Sequence, residues 1–354
     1  MAVHEELFSQ LQLYSNSNDF LLRAKEKILF RPVFNLCYND NMRKYLIQIL
    51  VILIMLVIAW GLLLLEAGEK GKKDKSIEAS IQRFPKSLEA NIIPIRNWSI
   101  EEPDILAKSA IVVNFKNQNE QGSILYQKNI NQILPIASLT KIMTAIIALE
   151  NFNLEEIIKV SKDSVSTLGN NGELINGEEL KVRDLLYIML MESSNDAAMT
   201  LTNDNPRLSF KDFISLMNTK AKELGLGNTY FADPVGLSAE NKSTVFELAY
   251  LIKYGLNFPL LWQILKTSET TIYSTDSKFV HNLINTNELL NKISNLLGGK
   301  TGYTEDAGGC MLTVSEIPTS LGDNNYLITV VLGSSQRETD TEDLIFWAKA
   351  AHIW

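Results

Sequence analysis

Histidine is nearly absent. Only His4, His281 and His352 carry an imidazole among 354 residues. A Ser-His-Asp triad would have to rest on His281 or His352, and a multi-histidine metal centre is all but excluded. Cysteine is scarcer still: Cys37 and Cys310 are too few for a disulfide scaffold or a cysteine zinc site. Positive charge is outweighed, with 33 Lys and Arg against 41 Asp and Glu, a net −8 that removes nucleic acid from the expected partners. Wholesale disorder is excluded as well, because 46% of residues are apolar and 21% charged, an ordinary globular balance. Any catalysis is therefore expected to proceed without imidazole, and no metal or cofactor is expected beside it.

What the chain does have is one long apolar run. Residues 45–65 read YLIQILVILIMLVIAWGLLLL, 21 residues with no charge. At about 1.5 Å per residue, a helix of this length spans about 30 Å, the thickness of a bilayer core. A cleaved signal peptide fits less well: 44 residues precede the run, and only Leu65-Glu66-Ala67 hints at a cleavage site. Charge does not orient the span, since Lys25, Lys27, Arg31, Arg43 and Lys44 on one side face Lys70, Lys72, Lys73, Lys75 and Arg83 on the other. The expected organisation is a tail at 1–44, a transmembrane helix at 45–65, a stalk at 66–104 carrying Pro85, Pro94 and Pro103, and a catalytic domain at 105–354.

Within that domain, residues 109–116 and 123–128 read as a hairpin, and 136–150 as an apolar helix. Helices are expected at 183–191, 196–201 and 209–224, and strands at 299–304, 309–315 and 326–332. A last helix is expected to open with the capping box Thr339-x-x-Glu342 and to bury Leu344, Trp347, Ala348 and Ala351. Strands at both ends with helices between imply an α+β fold: one antiparallel sheet drawn from both termini, and an inserted helical cluster.

Three short motifs carry chemistry. Ser138-Leu139-Thr140-Lys141 opens the apolar helix, and it is the only S-x-x-K in the chain. Ser193-Ser194-Asn195 follows 55 residues later, and Lys300-Thr301-Gly302 a further 107 residues on. Positions three apart share a helix face, so Lys141 Nζ can reach Ser138 Oγ. A lysine among so many apolar neighbours is desolvated, which favours the neutral amine and lets it serve as a base. At a helix start the developing oxyanion also meets the positive end of the dipole. Alone, each motif has a plain structural reading: a solvated helix face, a helix N-cap, a strand leaving a turn. All three in this order do not.

The trio resembles the low-molecular-weight penicillin-binding proteins that act as D-alanyl-D-alanine carboxypeptidases, whose fold is shared with the β-lactamases. The likeness extends through residues 134–141, 190–198 (LMESSNDAA), Met217-Asn218, Phe231, Pro234, Gly236-Leu237, Asn285-Thr286-Asn287 and 299–304. It implies that Ser138 attacks the carbonyl between the terminal D-alanines of a peptidoglycan stem peptide and forms an acyl-enzyme, with Lys141 taking its proton. Ser193 would relay a proton to the leaving amine in the field of Lys300. Asn195 would hold the substrate amide, and Thr301 the terminal carboxylate. The backbone amides of Ser138 and Tyr303, with Gly302 between Thr301 and Tyr303, would form the oxyanion hole, and Arg337 would add positive charge. β-Lactam antibiotics would be acylating inhibitors.

Family members often carry Arg where Thr286 stands, and many add a β-rich C-terminal domain. Because the substrate lies outside the cell membrane, a single-pass protein with an extracytoplasmic catalytic domain is expected. Two alternatives stand beside this reading. A class A-type β-lactamase would need a deacylating glutamate, for which Glu223 is the candidate although Gly227 replaces the expected asparagine. A membrane-tethered β-lactam sensor would acylate without turning over.

Overall fold

The computed structural model describes residues 94–116, 122–169, 172–318 and 324–354. The tail and the apolar run at 45–65 lie outside the described residues; among those described, no helix is long and apolar enough to cross a membrane. Residues from Ile92 to Trp354 form one compact unit.

Its frame is a five-stranded antiparallel sheet. The strands are β1 (Ser109–Phe115), β2 (Ser123–Lys128), β3 (Leu296–Thr304), β4 (Gly308–Pro318) and β5 (Asn324–Ser334). Their order across the sheet is β3-β4-β5-β1-β2, so the last strand pairs with the first and both ends of the unit build one sheet. This is the expected α+β arrangement, with β3, β4 and β5 longer than the hydrophobic pattern marked. The alternation of a strand divides the core. Ile111, Val113 and Phe115 face the helical cluster together with Cys310, Leu312, Ile328 and Val330. Ala110 and Val112 face the other side with Met311, Leu327 and Val331. Both faces are covered, which is why β1 is buried along its whole length.

The helices are α1 (Thr140–Asn151), α2 (Val182–Met191), α3 (Asn195–Asn203), α4 (Phe210–Glu223), α5 (Val245–Gly255), α6 (Pro259–Lys266) and α7 (Arg337–Ala350). Every residue of α1 from Thr140 to Ala148 is buried, Lys141 and two threonines among the apolar side chains. Three of these seven start on hydroxyl caps, as does the single-turn helix Lys162–Val165 on Ser161: Ser194 accepts from the Ala197 amide, Ser209 from Asp212 and Thr244 from Glu247. Each such cap contributes about 1 kcal/mol.

Two expectations about helix starts are corrected. The run from Ile136 is not all α-helix: Ala137–Leu139 form a 3-10 turn, and α1 begins at Thr140. Thr339 does not cap the last helix, which begins at Arg337 without a side-chain cap at Gln336. Asp340 anchors that turn instead, accepting from Ser334 Oγ at 2.6 Å, the Leu106 amide at 3.1 Å and Gln336 Nε2 at 3.0 Å. The apolar stripe of α7 does pack as expected, with Leu344, Trp347, Ala348 and Ala351 buried.

Small ribbons complete the unit. Ile95–Arg96 pairs with His352–Ile353, so the compact unit takes in the end of the segment read as stalk. Leu134–Pro135 pairs with Lys242–Ser243, which holds the segment entering Ser138 against the loop at 233–241.

Candidate active site

Ser138 sits in the middle of the 3-10 turn that leads into α1. The residue before it, Ala137, has φ +49, a left-handed conformation that is costly for a residue with a Cβ. Two glycines hold this turn in place. A Cβ on Gly302 of β3 would meet the Ser138 amide nitrogen at 2.9 Å. One on Gly236 would meet the Ala137 carbonyl oxygen at 2.0 Å. The lysine-threonine-glycine strand is the sheet's edge, so its free side can lie along the serine turn.

Lys141 is on the first turn of α1 and fully buried. Its Nζ donates to three acceptors: Ser138 Oγ at 2.9 Å, Asn195 Oδ1 at 2.7 Å and the Val235 carbonyl at 2.7 Å. Burial pulls its pKa down to about 7, against the opposing charges of Asp233 and then Asp196. The amine thus changes charge near neutrality while touching the hydroxyl.

Asn195, the first residue of α3, reaches Lys141 through its carbonyl oxygen and donates through Nδ2 to the Leu168 carbonyl at 2.8 Å. Ser193 precedes it with φ +61, a second non-glycine residue in the left-handed region, and is nearly buried. Lys300 is buried in β3 and donates to the Thr301 carbonyl at 2.9 Å. Desolvation holds its amine well below the ordinary lysine range, and the positive charges of Lys141 and Arg337 push the same way. The Thr301 and Thr286 hydroxyls share a hydrogen bond of 2.8 Å. Tyr303 is 66% exposed on the same strand. Arg337 starts α7 and donates to the Gly302 carbonyl at 2.7 Å, with Glu338 accepting from its Nε at 2.6 Å.

Contacts and charges therefore link Ser138, Lys141, Asn195, Lys300, Gly302 and Arg337 into one neighbourhood, reached from four separate parts of the chain. The two histidines and Glu223 are engaged with other partners. His281 Nε2 hydrogen-bonds Glu178 Oε1 at 2.7 Å, and His352 Nδ1 meets the Ala348 carbonyl at 2.9 Å. Glu223 is exposed at the end of α4 in an ion pair with Lys220 at 3.2 Å. Among the described residues no group of three or more His, Cys, Asp or Glu could hold a metal ion.

A hydroxyl, a buried amine on the same turn and a cation-lined edge strand are parts suited to acyl transfer without imidazole. The model of the D-alanyl-D-alanine carboxypeptidase family matches residues 97–336. The chain belongs to that family. It is a serine DD-peptidase by membership.

Several relatives bear on the family's range of activity. The chain is 34% identical over 258 residues to a D-alanyl-D-alanine endopeptidase of Pseudomonas aeruginosa, covering 71% of this chain and 80% of that protein. It is also 34% identical to the D-alanyl-D-alanine carboxypeptidase DacF of Bacillus subtilis, covering 65% of this chain and 58% of that one. Among solved structures, the Streptomyces K15 DD-transpeptidase superposes with a TM-score of 0.64 at 29% identity, over 71% of this chain and all of that one.

Two acidic residues of the site carry roles that the sequence motifs do not assign. Asp196 accepts from the amides of Gly172 at 2.8 Å and Leu174 at 3.0 Å and from the Ser194 hydroxyl, pinning the loop beside Asn195. Asp233 folds the loop that meets Lys141. Its signal in the sequence is Asp233-Pro234-Val235-Gly236, a turn whose first position favours Asp.

Proposed function

We propose that this chain is a membrane-anchored serine D-alanyl-D-alanine carboxypeptidase that removes the terminal D-alanine from peptidoglycan stem peptides. The observation that carries the reading is the 2.9 Å hydrogen bond between Ser138 Oγ and a fully buried Lys141 whose pKa is near 7. Neutral Lys141 takes the proton as Ser138 Oγ attacks the peptide carbonyl. The amides of Ser138 and Tyr303 receive the oxyanion. Ser193 passes a proton to the departing amine in the field of Lys300, so the C–N bond breaks and free D-alanine leaves. Water then attacks the Ser138 ester, and the shortened peptide departs as a carboxylate.

Asn195 Oδ1 has a second lone pair for the substrate amide while it holds Lys141. The terminal carboxylate is assigned to Thr301, with Lys300 and Arg337 supplying positive potential. A β-lactam would acylate Ser138 by the same attack, its leaving amine remaining tethered. The exposed, ion-paired Glu223 argues against a β-lactamase built on that residue.

A second reading, cleavage of cross-links as an endopeptidase, is favoured by the 34% identity to relatives of that name. It is favoured too by a cavity of about 430 Å³ beyond Thr286, bordered by Glu173, Glu192, His281 and Ile284. Such a volume accommodates a leaving group larger than alanine.

The substrate's location implies that residues 45–65 span the cell membrane, with 1–44 cytoplasmic and the catalytic domain outside. Full-length protein incubated with diacetyl-L-Lys-D-Ala-D-Ala should release free D-alanine; none released would refute the carboxypeptidase reading. Protease shaving of spheroplasts should remove the catalytic domain, and protection would reverse the topology.

A further inference from the structure

The loop that meets Lys141 is folded around one carboxylate. Asp233 Oδ1 accepts from the amides of Val235 at 2.8 Å and Gly236 at 2.6 Å, and Oδ2 accepts from Ser238 at 2.7 Å. All three partners are N–H donors. A carboxylate, which only accepts, satisfies them all; an asparagine would turn its NH₂ toward a donor at one of its two ends. Asn241 closes the loop from the other side, its Oδ1 accepting from the amides of Ala232 at 2.6 Å and Asp233 at 3.2 Å.

Each residue after Asp233 in this turn delivers something to the catalytic helix. The Pro234 carbonyl accepts from Thr144 Oγ1 at 2.7 Å, and the Val235 carbonyl from Lys141 Nζ at 2.7 Å. Gly236, at φ +88, lies against the Ala137 carbonyl and the Ser138 amide. One side chain thus fixes the backbone that touches the base and the nucleophile, and it brings a half-buried negative charge near the buried amine.

We propose that Asp233 is a positioning residue: it holds the Val235 carbonyl on Lys141 and the Gly236 backbone under Ser138, and its charge sets the pH range in which Lys141 serves as base. The inference rests on the reading of Lys141 as that base. The charged groups facing Lys141 are Asp233 from the loop, Asp196 from α3 and Lys300 from β3. Asp196 shares the electrostatic part of the role but none of the contacts with the 233–238 turn. The direction follows from the chemistry. An anion nearby and a carbonyl on Nζ both favour the ammonium form, so removing either makes the amine easier to deprotonate.

The test is the pH dependence of acylation by a fluorescent penicillin, from pH 5 to 9, with full-length protein in detergent. Wild type should gain rate as pH rises through about 7. Asp233→Asn should move that limb to lower pH by about half a unit or more, with a reduced plateau. Asp233→Glu, which keeps the charge on a longer arm, should leave the limb in place and lower the plateau. A limb in Asp233→Asn at the wild-type pH, with only a uniform loss of rate, overturns the inference and spares the base reading. A wild-type limb that persists in Lys141→Ala overturns both. Should Asp233→Asn fail to fold, Asp233→Glu decides alone: a moved limb or an unchanged plateau overturns the proposal.

Discussion

Gly236→Ala perturbs the nucleophile turn without replacing any catalytic side chain. The added Cβ would lie 2.0 Å from the Ala137 carbonyl oxygen, 2.4 Å from its carbon and 2.9 Å from the Ser138 nitrogen. All three are backbone atoms, so no side chain can swing aside. The turn must move by about 1 Å to restore ordinary contact, and displacement of that size at a reacting centre costs about 10²-fold in rate. The left-handed φ of +88 adds about 1–2 kcal/mol for any residue with a Cβ. Overpacking adds about 1–3 kcal/mol more. The sum of about 2–5 kcal/mol corresponds to a fall in Tm of about 5–15 °C for a domain of this size. The assay is paired: the acylation rate with a fluorescent penicillin, and thermal unfolding of the same preparation. Gly225→Ala is the control, because Gly225 also has a positive φ of +74 but nothing lies within 4 Å of its Cβ position. It should lose about 1–2 kcal/mol of stability and no acylation rate. A Gly236→Ala protein that acylates within threefold of wild type at an unchanged Tm would refute the close approach and the positioning argument built on it.

Lys141→Ala should slow acylation by several orders of magnitude near neutral pH, since an unassisted serine is a poor nucleophile; a near-normal rate in stopped flow rejects the base assignment. The Glu178 hydrogen bond raises the His281 pKa above the ordinary 6.5, outweighing the burial that opposes it. That pair's contribution to stability is fully present below about pH 6.5 and is lost as pH rises through the raised value. The Tm difference between wild type and His281→Asn should therefore shrink from pH 6 to pH 9, and a constant difference contradicts the pairing. Glu223→Gln should leave D-alanine release unchanged, whereas loss of turnover in an endpoint assay revives a deacylating role for that carboxylate.

Local patterns in the chain mark the five strands of the sheet and α1 to α4 and α7, whose periodicities are strong, but not α5, α6 or the small ribbons. The apolar face of α1, the stripe on α7 and the strand carrying Gly302 all declare themselves at short range. That a single sheet draws on both ends followed from strands lying at both ends, while the order of its strands emerges only in the fold. The start of α7 was misread because Thr339-x-x-Glu342 satisfies a local rule, while the actual anchor, Asp340, works through Leu106 from the far end of the chain. The 3-10 turn at Ser138 was equally illegible, being imposed by Gly302 and Gly236 pressing on its backbone. In the site, the serine-lysine pair shows in the sequence because both members share one turn. Asp233 and the Val235 carbonyl do not, because their distance to Lys141 exists only after the loop closes. Thr286 differs again: it was noted for what it replaces, and its hydrogen bond to Thr301 emerges only when the segment before β3 folds back.

The central claim is that Ser138 becomes covalently acylated with Lys141 as its base. Intact full-length protein treated with a penicillin, digested and read by mass spectrometry tests it most directly. The account predicts one adduct, on the peptide bearing Ser138, absent from Ser138→Ala. An adduct on any other residue, or labelling that survives in Ser138→Ala, would contradict it.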